Sequence, residues 1–428
     1  MKVFKNPPPS SWSQLLQRPV FDTASLEQKV QVILKEVKTE GDAAVKRYTQ
    51  LFDKAVVNDL QVEAAAIAAS AAHVSKELQQ AIRQAKSNIE TFHRAQVQPA
   101  VRIETMPGVQ CWRKSVPIQK VGLYIPGGTA PLFSTILMLA IPAKIAGCSE
   151  IILCSPPDAS GNLHPAILFT AGLVGISKIF KVGGVQAVAA MSYGTASIPK
   201  VDKIFGPGNQ YVTCAKQLVQ KEGVAIDLPA GPSEVAVYAD ESADPAFVAA
   251  DLLSQAEHGA DSQVLLVVNN ELLIEQVQKQ LDQQLNTLPR KQLAVKALEN
   301  SKLVLVKNEE EAMALLNEYA PEHLILSSAH AEALSEKVTN AGSVFLGHYS
   351  PESAGDYASG TNHTLPTNGY ARAYSGVSVD SFVKKITFQK LDETGITAIG
   401  NTVIAMANAE GLQAHARAVS IRLEKGQA

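Results

Sequence analysis

Hydrophobic positions divide the 428-residue chain into stretches of different rhythm. Between Thr23 and Phe92 the apolar residues fall at helical spacing. Leu26, Val30, Val32, Ile33 and Val37 open the stretch, and an alanine-rich run from Glu63 to Ala72 carries it on towards Ile89. With few glycines and no alternation of period two, this pattern predicts a helical region that packs on something else. Val101-Arg102-Ile103-Glu104-Thr105 and Gln110-Cys111-Trp112-Arg113 do alternate, around Pro107-Gly108, and predict a β-hairpin.

The rhythm then changes. Val121 to Ile125, Ile151 to Cys154, Ile179 to Val182 and Val201 to Phe205 are short apolar runs separated by helical stretches. That is the signature of a parallel sheet wrapped by helices. Pro126-Gly127-Gly128, Gly183-Gly184 and Gly206-Pro207-Gly208 each follow a strand, on the carboxyl edge where open α/β sheets bind ligands. A second round follows in Val235 to Tyr238, Val264 to Val268, Leu303 to Val306, His323 to Leu326 and Ser343 to Leu346. The predicted class is therefore α/β: two similar Rossmann-like parallel-sheet domains with a helical N-terminal region and a small C-terminal helical region. The expected boundaries are 1–115, 116–230, 231–348 and 349–428, with Leu228 to Ser233 as the hinge between the sheets. From Ser350 to Tyr370 the chain is polar and turn-rich, a length of loop that is usually functional or disordered. A last helical stretch, roughly Thr402 to Leu423, breaks near Gly411 and carries Glu410 and His415.

Composition narrows the function. With 46% apolar residues, 18% charged and a net charge of −3, the chain has the balance of a soluble globular protein and no basic patch for nucleic acid or anionic membrane. The longest greasy stretch, Leu132 to Ala140, is too short for a bilayer. Four cysteines without CxxC spacing, Cys111, Cys148, Cys154 and Cys214, read as reduced thiols, and the first residues show no signal peptide. A cytoplasmic location is expected.

The chemistry centres on Ser254-Gln255-Ala256-Glu257-His258-Gly259, at the end of a helix that opens with Asp244 as N-cap and Pro245 in first position. Gly259 is expected to end that helix in the left-handed conformation. Gln255 and His258, three apart, leave one face and can hold a cation, although a histidine at a helix C-terminus more often only satisfies the dipole. Gln255, His258, Asp356 and His415 would make an N/O set suited to zinc, but spacing alone does not bring them together. Pro321-Glu322-His323 puts a carboxylate and an imidazole at the start of a buried strand. Both reach one site only if the chain bends, and they would then offer acid–base groups of different pKa. No GxGxxG is present; Gly206-Pro207-Gly208-Asn209 comes closest.

Taken together, Tyr124-Ile125-Pro126-Gly127-Gly128, Gly206 to Asn209, Ala230-Gly231-Pro232-Ser233-Glu234, Ser254 to Gly259, Pro321 to Leu324 and Pro351 to His363 resemble the histidinol dehydrogenase family, in order and from about residue 10 to the C-terminus. The resemblance implies an NAD-linked, zinc-dependent oxidation of L-histidinol through the aldehyde to L-histidine, the last step of histidine biosynthesis, in a homodimer with shared active sites. It implies zinc ligands at Gln255, His258, Asp356 and His415, the last lent by the partner subunit, with one zinc per subunit. It implies NAD contacts at Tyr124, Gln186 and Asn209, and substrate contacts at Ser233, His363 and Glu410 beside the ligands and the catalytic pair Glu322 and His323. Rival readings are a related dehydrogenase acting on another small alcohol, a zinc hydrolase in which Glu322 activates a metal-bound water, and a non-catalytic nucleotide-binding scaffold.

Overall fold

The fold is taken from a computed structural model that describes residues 1–18, 23–127, 131–229 and 231–425. Gly128 and Ala230, both in motifs singled out above, lie outside the described residues. Among the described residues, fourteen strands form three sheets. β1 (Lys2–Lys5) comes first, followed after the helical region by β2 (Arg102–Met106) and β3 (Val109–Pro117). The first parallel sheet comprises β4 (Lys120–Tyr124), β5 (Glu150–Ser155), β6 (Lys178–Lys181), β7 (Lys203–Phe205) and β8 (Ala225–Ile226), in the order β6-β5-β4-β7-β8. The second comprises β9 (Glu234–Ala239), β10 (Gln263–Val268), β11 (Lys302–Leu305), β12 (His323–Ser327) and β13 (Ser343–Leu346), with β1 added at the edge, in the order β1-β11-β10-β9-β12-β13.

Counted within each half, the strand order is the same: third, second, first, fourth, fifth. This is the order of a doubly wound nucleotide-binding fold, and it bears out the two similar Rossmann-like halves expected from the hydrophobic rhythm. Strand interiors such as Val235–Ala239 and Val264–Val268 are buried on both faces, as a helix-covered parallel sheet requires.

Pairing carries some chain ends away from their sequence neighbours. β1 runs parallel to β11, so the first residues complete the second sheet and not the helical region that follows them. β14 (Val383–Leu391) pairs antiparallel with β3 and extends the predicted hairpin into a three-stranded sheet. The helix Thr23–Glu40 packs Val30, Ile33, Leu34 and Val37 onto the first half, against Val185, Val188 and Val219, while Val32 faces solvent because its position falls off the 3.6-residue stripe. The last region starts earlier than its apolar spacing suggested, at Asp392, whose side chain caps helix Glu393–Ala409 through the amide of Gly395 at 2.9 Å. Gly411, at φ 75°, makes the turn into helix Gln413–Lys425.

One glycine fixes how the first sheet ends. Gly206 has φ +127°, and a Cβ there would collide with the carbonyl of Tyr124. We expect Gly206→Ala to destabilise the fold by about 2–4 kcal/mol, through strain and a backbone shift, as measured by urea unfolding. A wild-type midpoint in that variant would show that the turn after β7 relaxes freely.

Candidate active site

A cavity of about 1200 Å³ opens at the carboxyl edge of the first sheet. Tyr124 at the end of β4, Gln186 in the first turn of helix Gly184–Tyr193 and Asn209 before helix Gln210–Gln220 all line it. Asn209 caps its helix, its Oδ1 accepting from the amides of Tyr211 at 3.0 Å and Val212 at 3.2 Å, and the Tyr124 hydroxyl accepts from the Gly184 amide at 3.2 Å. Gln186 is fully buried, yet neither amide atom has a hydrogen-bond partner among the described residues. Such a buried amide costs about 1–3 kcal/mol unless a ligand satisfies it. The cavity exceeds the roughly 300–1,000 Å³ of an ordinary small-molecule pocket, and two helix N-termini lend it positive potential, so a dinucleotide fits its size and electrostatics. Asp53, at the end of helix Asp42–Asp53, also lines it. Burial pushes its carboxyl up to about 6.

A second cluster of candidate residues lies at the opposite, amino edge of the second sheet, where β9 and β12 begin side by side. Helix Pro245–Ala256 runs back from β9 to this edge, with the Asp244 side chain accepting from the Ala246 amide at 2.7 Å as expected. Gly259 does not end it. Glu257 remains right-handed at φ −78°, and the Glu257 and His258 amides bond the carbonyls of Leu253 at 3.1 Å and Gln255 at 3.2 Å, so no left-handed residue is needed. Ala320, by contrast, takes φ +51°, and this left-handed residue supplies the bend at Pro321 that lets Glu322 and His323 reach one place.

Glu234, at the head of β9, holds both. Its amide donates to Glu322 Oε2 at 2.9 Å and its carbonyl accepts from His323 Nδ1 at 3.1 Å. Because a carbonyl only accepts, Nδ1 carries a proton, which leaves His323 Nε2, buried and without a hydrogen-bond partner among the described residues, as the working nitrogen. Asp356 Oδ1 lies 3.6 Å from that Nε2. Burial pushes Glu322 and Glu352 up to about 8 each, with the charge on His323 pulling the other way. Burial also opposes charge on His323, but Glu352, Glu322 and Asp356 around the ring outweigh it and raise its pKa well above the ordinary imidazole value. Asp356 is held below its usual range, despite burial, by the neighbouring His323 and by the charges of His363 and His258.

His258, Glu352 and Asp356 bring ligand atoms within 4.8 Å of one another, close enough to share a cation. Gln255 joins them: with its amide oriented to satisfy both ends, its nitrogen donates to Glu352 and its oxygen accepts from the Glu234 amide at 3.2 Å. Helix Glu352–Tyr357 sets Glu352 and Asp356 one turn apart on one face. His363 Nδ1 donates to the Asp356 carbonyl at 2.8 Å, and its Nε2 bonds Thr135 Oγ1 of the first half at 3.1 Å. Ser233 adjoins Glu234, its carbonyl accepting from Gln263 at 3.1 Å. Glu410 and His415 stand apart. They are solvent-exposed around the turn between the last two helices, and His415 lies outside the group of metal-competent side chains that one chain assembles.

Sequence reasoning did not single out Glu352, Asp53, Arg18 or Glu234 as site residues. Glu352 was within reach of it, as an acid four residues before Asp356 in the stretch already marked as functional. Arg18 was not, being 216 residues from its partner Glu234.

Two sheets of nucleotide-fold order, a dinucleotide-sized cavity on one and an acid–imidazole cluster on the other define an α/β oxidoreductase. The family model for histidinol dehydrogenase matches residues 16–423. The chain is 60% identical over 423 residues to the histidinol dehydrogenase of Bacteroides thetaiotaomicron, covering 99% of both chains, and 51% identical over 414 residues to that of Vibrio parahaemolyticus, covering 96% of this chain and 95% of that one. A crystal structure of histidinol dehydrogenase from Elizabethkingia anophelis superimposes with TM-score 0.98 at 57% identity, over 100% of this chain and 99% of that one. The chain belongs to the histidinol dehydrogenase family.

Asp53 gives the cavity a pH signature. Its folded pKa of about 6 lies above the ordinary 3.8, so its contribution to stability is complete below about pH 4 and is lost as pH rises through 6. Asp53→Asn should therefore be more stable than wild type near pH 7, by roughly 1–2 kcal/mol after discounting the partly exposed carboxyl for solvent, and no more stable near pH 4. Unfolding curves at both pH values check this; an unchanged difference between them would remove the burial argument.

Proposed function

We propose that the protein catalyses the NAD-linked, zinc-dependent oxidation of L-histidinol through L-histidinal to L-histidine, the last step of histidine biosynthesis, as a cytoplasmic homodimer. The observation that carries this reading is the convergence of Gln255, His258, Glu322, His323 and Asp356, from three separate stretches of chain, on one sheet edge. The size of the neighbouring cavity and the unmet amide of Gln186 support a dinucleotide. No described helix is long and apolar enough to cross a membrane.

Zinc, held by Gln255, His258, Asp356 and the partner copy's counterpart of position 415, supplies charge and orientation without redox chemistry. NAD, held at Tyr124, Gln186 and Asn209, supplies the hydride acceptor. Ser233, His363 and Glu410 would bind the substrate with the ligand set, Glu410 also from the other copy. In its neutral form His323 would take the alcohol proton at Nε2, since the Glu234 carbonyl holds the other ring proton on Nδ1. Burial raises the Glu322 carboxyl, and in its ionised form it would take a proton from the water that hydrates the aldehyde before the second oxidation. Burial around the pair keeps the reactive aldehyde from bulk solvent.

A dimer is supported by the antiparallel sheet and the helices beside it. Ile386 is 37% exposed and Phe388 38%, two apart on one face of β14, and Ile103 is 55% exposed on the other face of the sheet.

Purified protein should form two NADH per histidinol, lose that activity on chelation and regain it with zinc. No NADH from histidinol would turn the assignment towards another small alcohol. His258→Asn should lose zinc while the fold survives, and stoichiometric zinc in that variant would take His258 out of the ligand set. Glu322→Gln should slow histidinal consumption at least about 10²-fold while slowing histidinol consumption less, so that aldehyde accumulates in rapid-quench time courses. Equal loss in both steps would remove the water-activating role.

A further inference from the structure

Arg18 stands where both halves of the catalytic pair are anchored. It follows the short helix Trp12–Leu15, whose Trp12 and Leu15 are buried against Tyr319, Leu316 and Leu324, so the arm that carries it is fixed to the second half. Its guanidinium forms a two-point ion pair with Glu234, Nη2 reaching Oε2 at 2.8 Å and Nε reaching Oε1. The Asn368 amide also donates to Oε1, at 3.1 Å. Nη2 donates as well to the Tyr319 carbonyl at 2.8 Å, and the guanidinium stacks over the Tyr319 ring with 4.1 Å to its centroid. Tyr319 immediately precedes the left-handed Ala320, and Ala320 leads through Pro321 into Glu322 and His323. One side chain thus grips the head of β9, whose backbone bonds both Glu322 and His323, and the bend that delivers those two residues.

The ion pair is almost dry, with side-chain exposures of 15% for Arg18 and 2% for Glu234. A planar two-point fork fixes direction as well as distance, which a lysine ammonium in the same place cannot do. Resting on the proposed roles of Glu322 and His323, we propose that Arg18 is a positioning residue for the catalytic pair: through Glu234 and Tyr319 it sets the backbone from which the Glu322 carboxylate and the His323 imidazole are aimed. It touches neither substrate nor reacting atoms. Its effect comes from geometry, and a displacement of about 1 Å at a reacting group costs about 10²-fold in rate.

Arg18→Lys is the test, because it keeps the buried charge opposite Glu234 and removes only the fork and the second contact. The expected result, per folded and zinc-loaded site, is a kcat for histidinol lowered about 10- to 100-fold with KM for NAD unchanged, and a shifted or exchange-broadened His323 Nδ1–H resonance, assigned by its absence in His323→Gln. The double variant Arg18→Gln, Glu234→Gln, which removes both charges and leaves neither unpaired, should show the same loss. A wild-type kcat and an unmoved resonance in Arg18→Lys would overturn the proposal and make Arg18 a structural residue alone. Wild-type protein that makes no NADH from histidinol would instead overturn the functional reading, and the resonance would still report whether Arg18 aims His323.

Discussion

Four carboxyl groups, on Glu234, Glu322, Glu352 and Asp356, gather at the amino edge of the second sheet, and their removal from water is the constraint on which the site depends. Glu234 and Glu352 are almost wholly buried and Glu322 nearly so. Isolated, such charges would be prohibitive, so each must be protonated, paired or bonded to the backbone. All three solutions occur together. Arg18 pairs Glu234, the Glu234 amide bonds Glu322, Asp356 sits beside His323, and burial shifts Glu322 and Glu352 towards their protonated forms. The parallel pairing of β9 with β12, which sets His323 opposite Val235, and the left-handed turn at Ala320 make this possible. An edge with more acid than base is also an edge suited to a cation, and His258 opens it to solvent on the side where one could enter.

The two halves share a strand order but use opposite edges. On the first, the carboxyl edge is open, and Gly127 and Gly184 line the cavity beyond the strands. On the second, polar side chains beyond the strands satisfy one another: Ser242 donates to Asp240, the Ala329 amide bonds Ser242 Oγ at 3.0 Å, and Ser327 meets His348 at 3.1 Å. Groups already paired in this way offer little to a ligand. The acid–imidazole cluster lies at the amino edge, and helix Phe133–Ala146 touches both sites. Pro131, just before it, lines the cofactor-sized cavity, while Thr135 in its first turn holds His363 of the cluster.

Much of this was legible in the sequence, for reasons that can be stated residue by residue. Parallel strands buried on both faces write themselves as continuous apolar runs, so nine of the ten strands in the two halves could be read directly. The two-residue β8 is too short to leave such a run. β1 was missed because a strand completed by pairing with residues 302–305 has no local signal of its own, and β14 because Lys384 and Lys385 hide its alternation on an exposed sheet. At the site, Gln255, His258, Glu322, His323 and Asp356 could be named from motifs, since their chemistry requires those residue types. Arg18 and Glu234 could not: a pairing between residues 216 apart exists only once both halves have folded. Gly259 misled because a right-handed turn satisfied the helix end by other means.

Glu410 and His415 mark where a single chain stops being sufficient on the proposed reading. They flank the turn at Gly411 on a helical hairpin whose nearest sheet, β14-β3-β2, is exposed along most of β2 and β14. Among the described residues the turn lies apart from His258 and Asp356, and on the proposed reading a second copy delivers it. If the fourth ligand arrives this way, metal binding and dimerisation become one linked equilibrium. Each zinc bound then stabilises the interface by the free energy with which the interface completes the zinc site, and dilution and chelation weaken the enzyme by the same route.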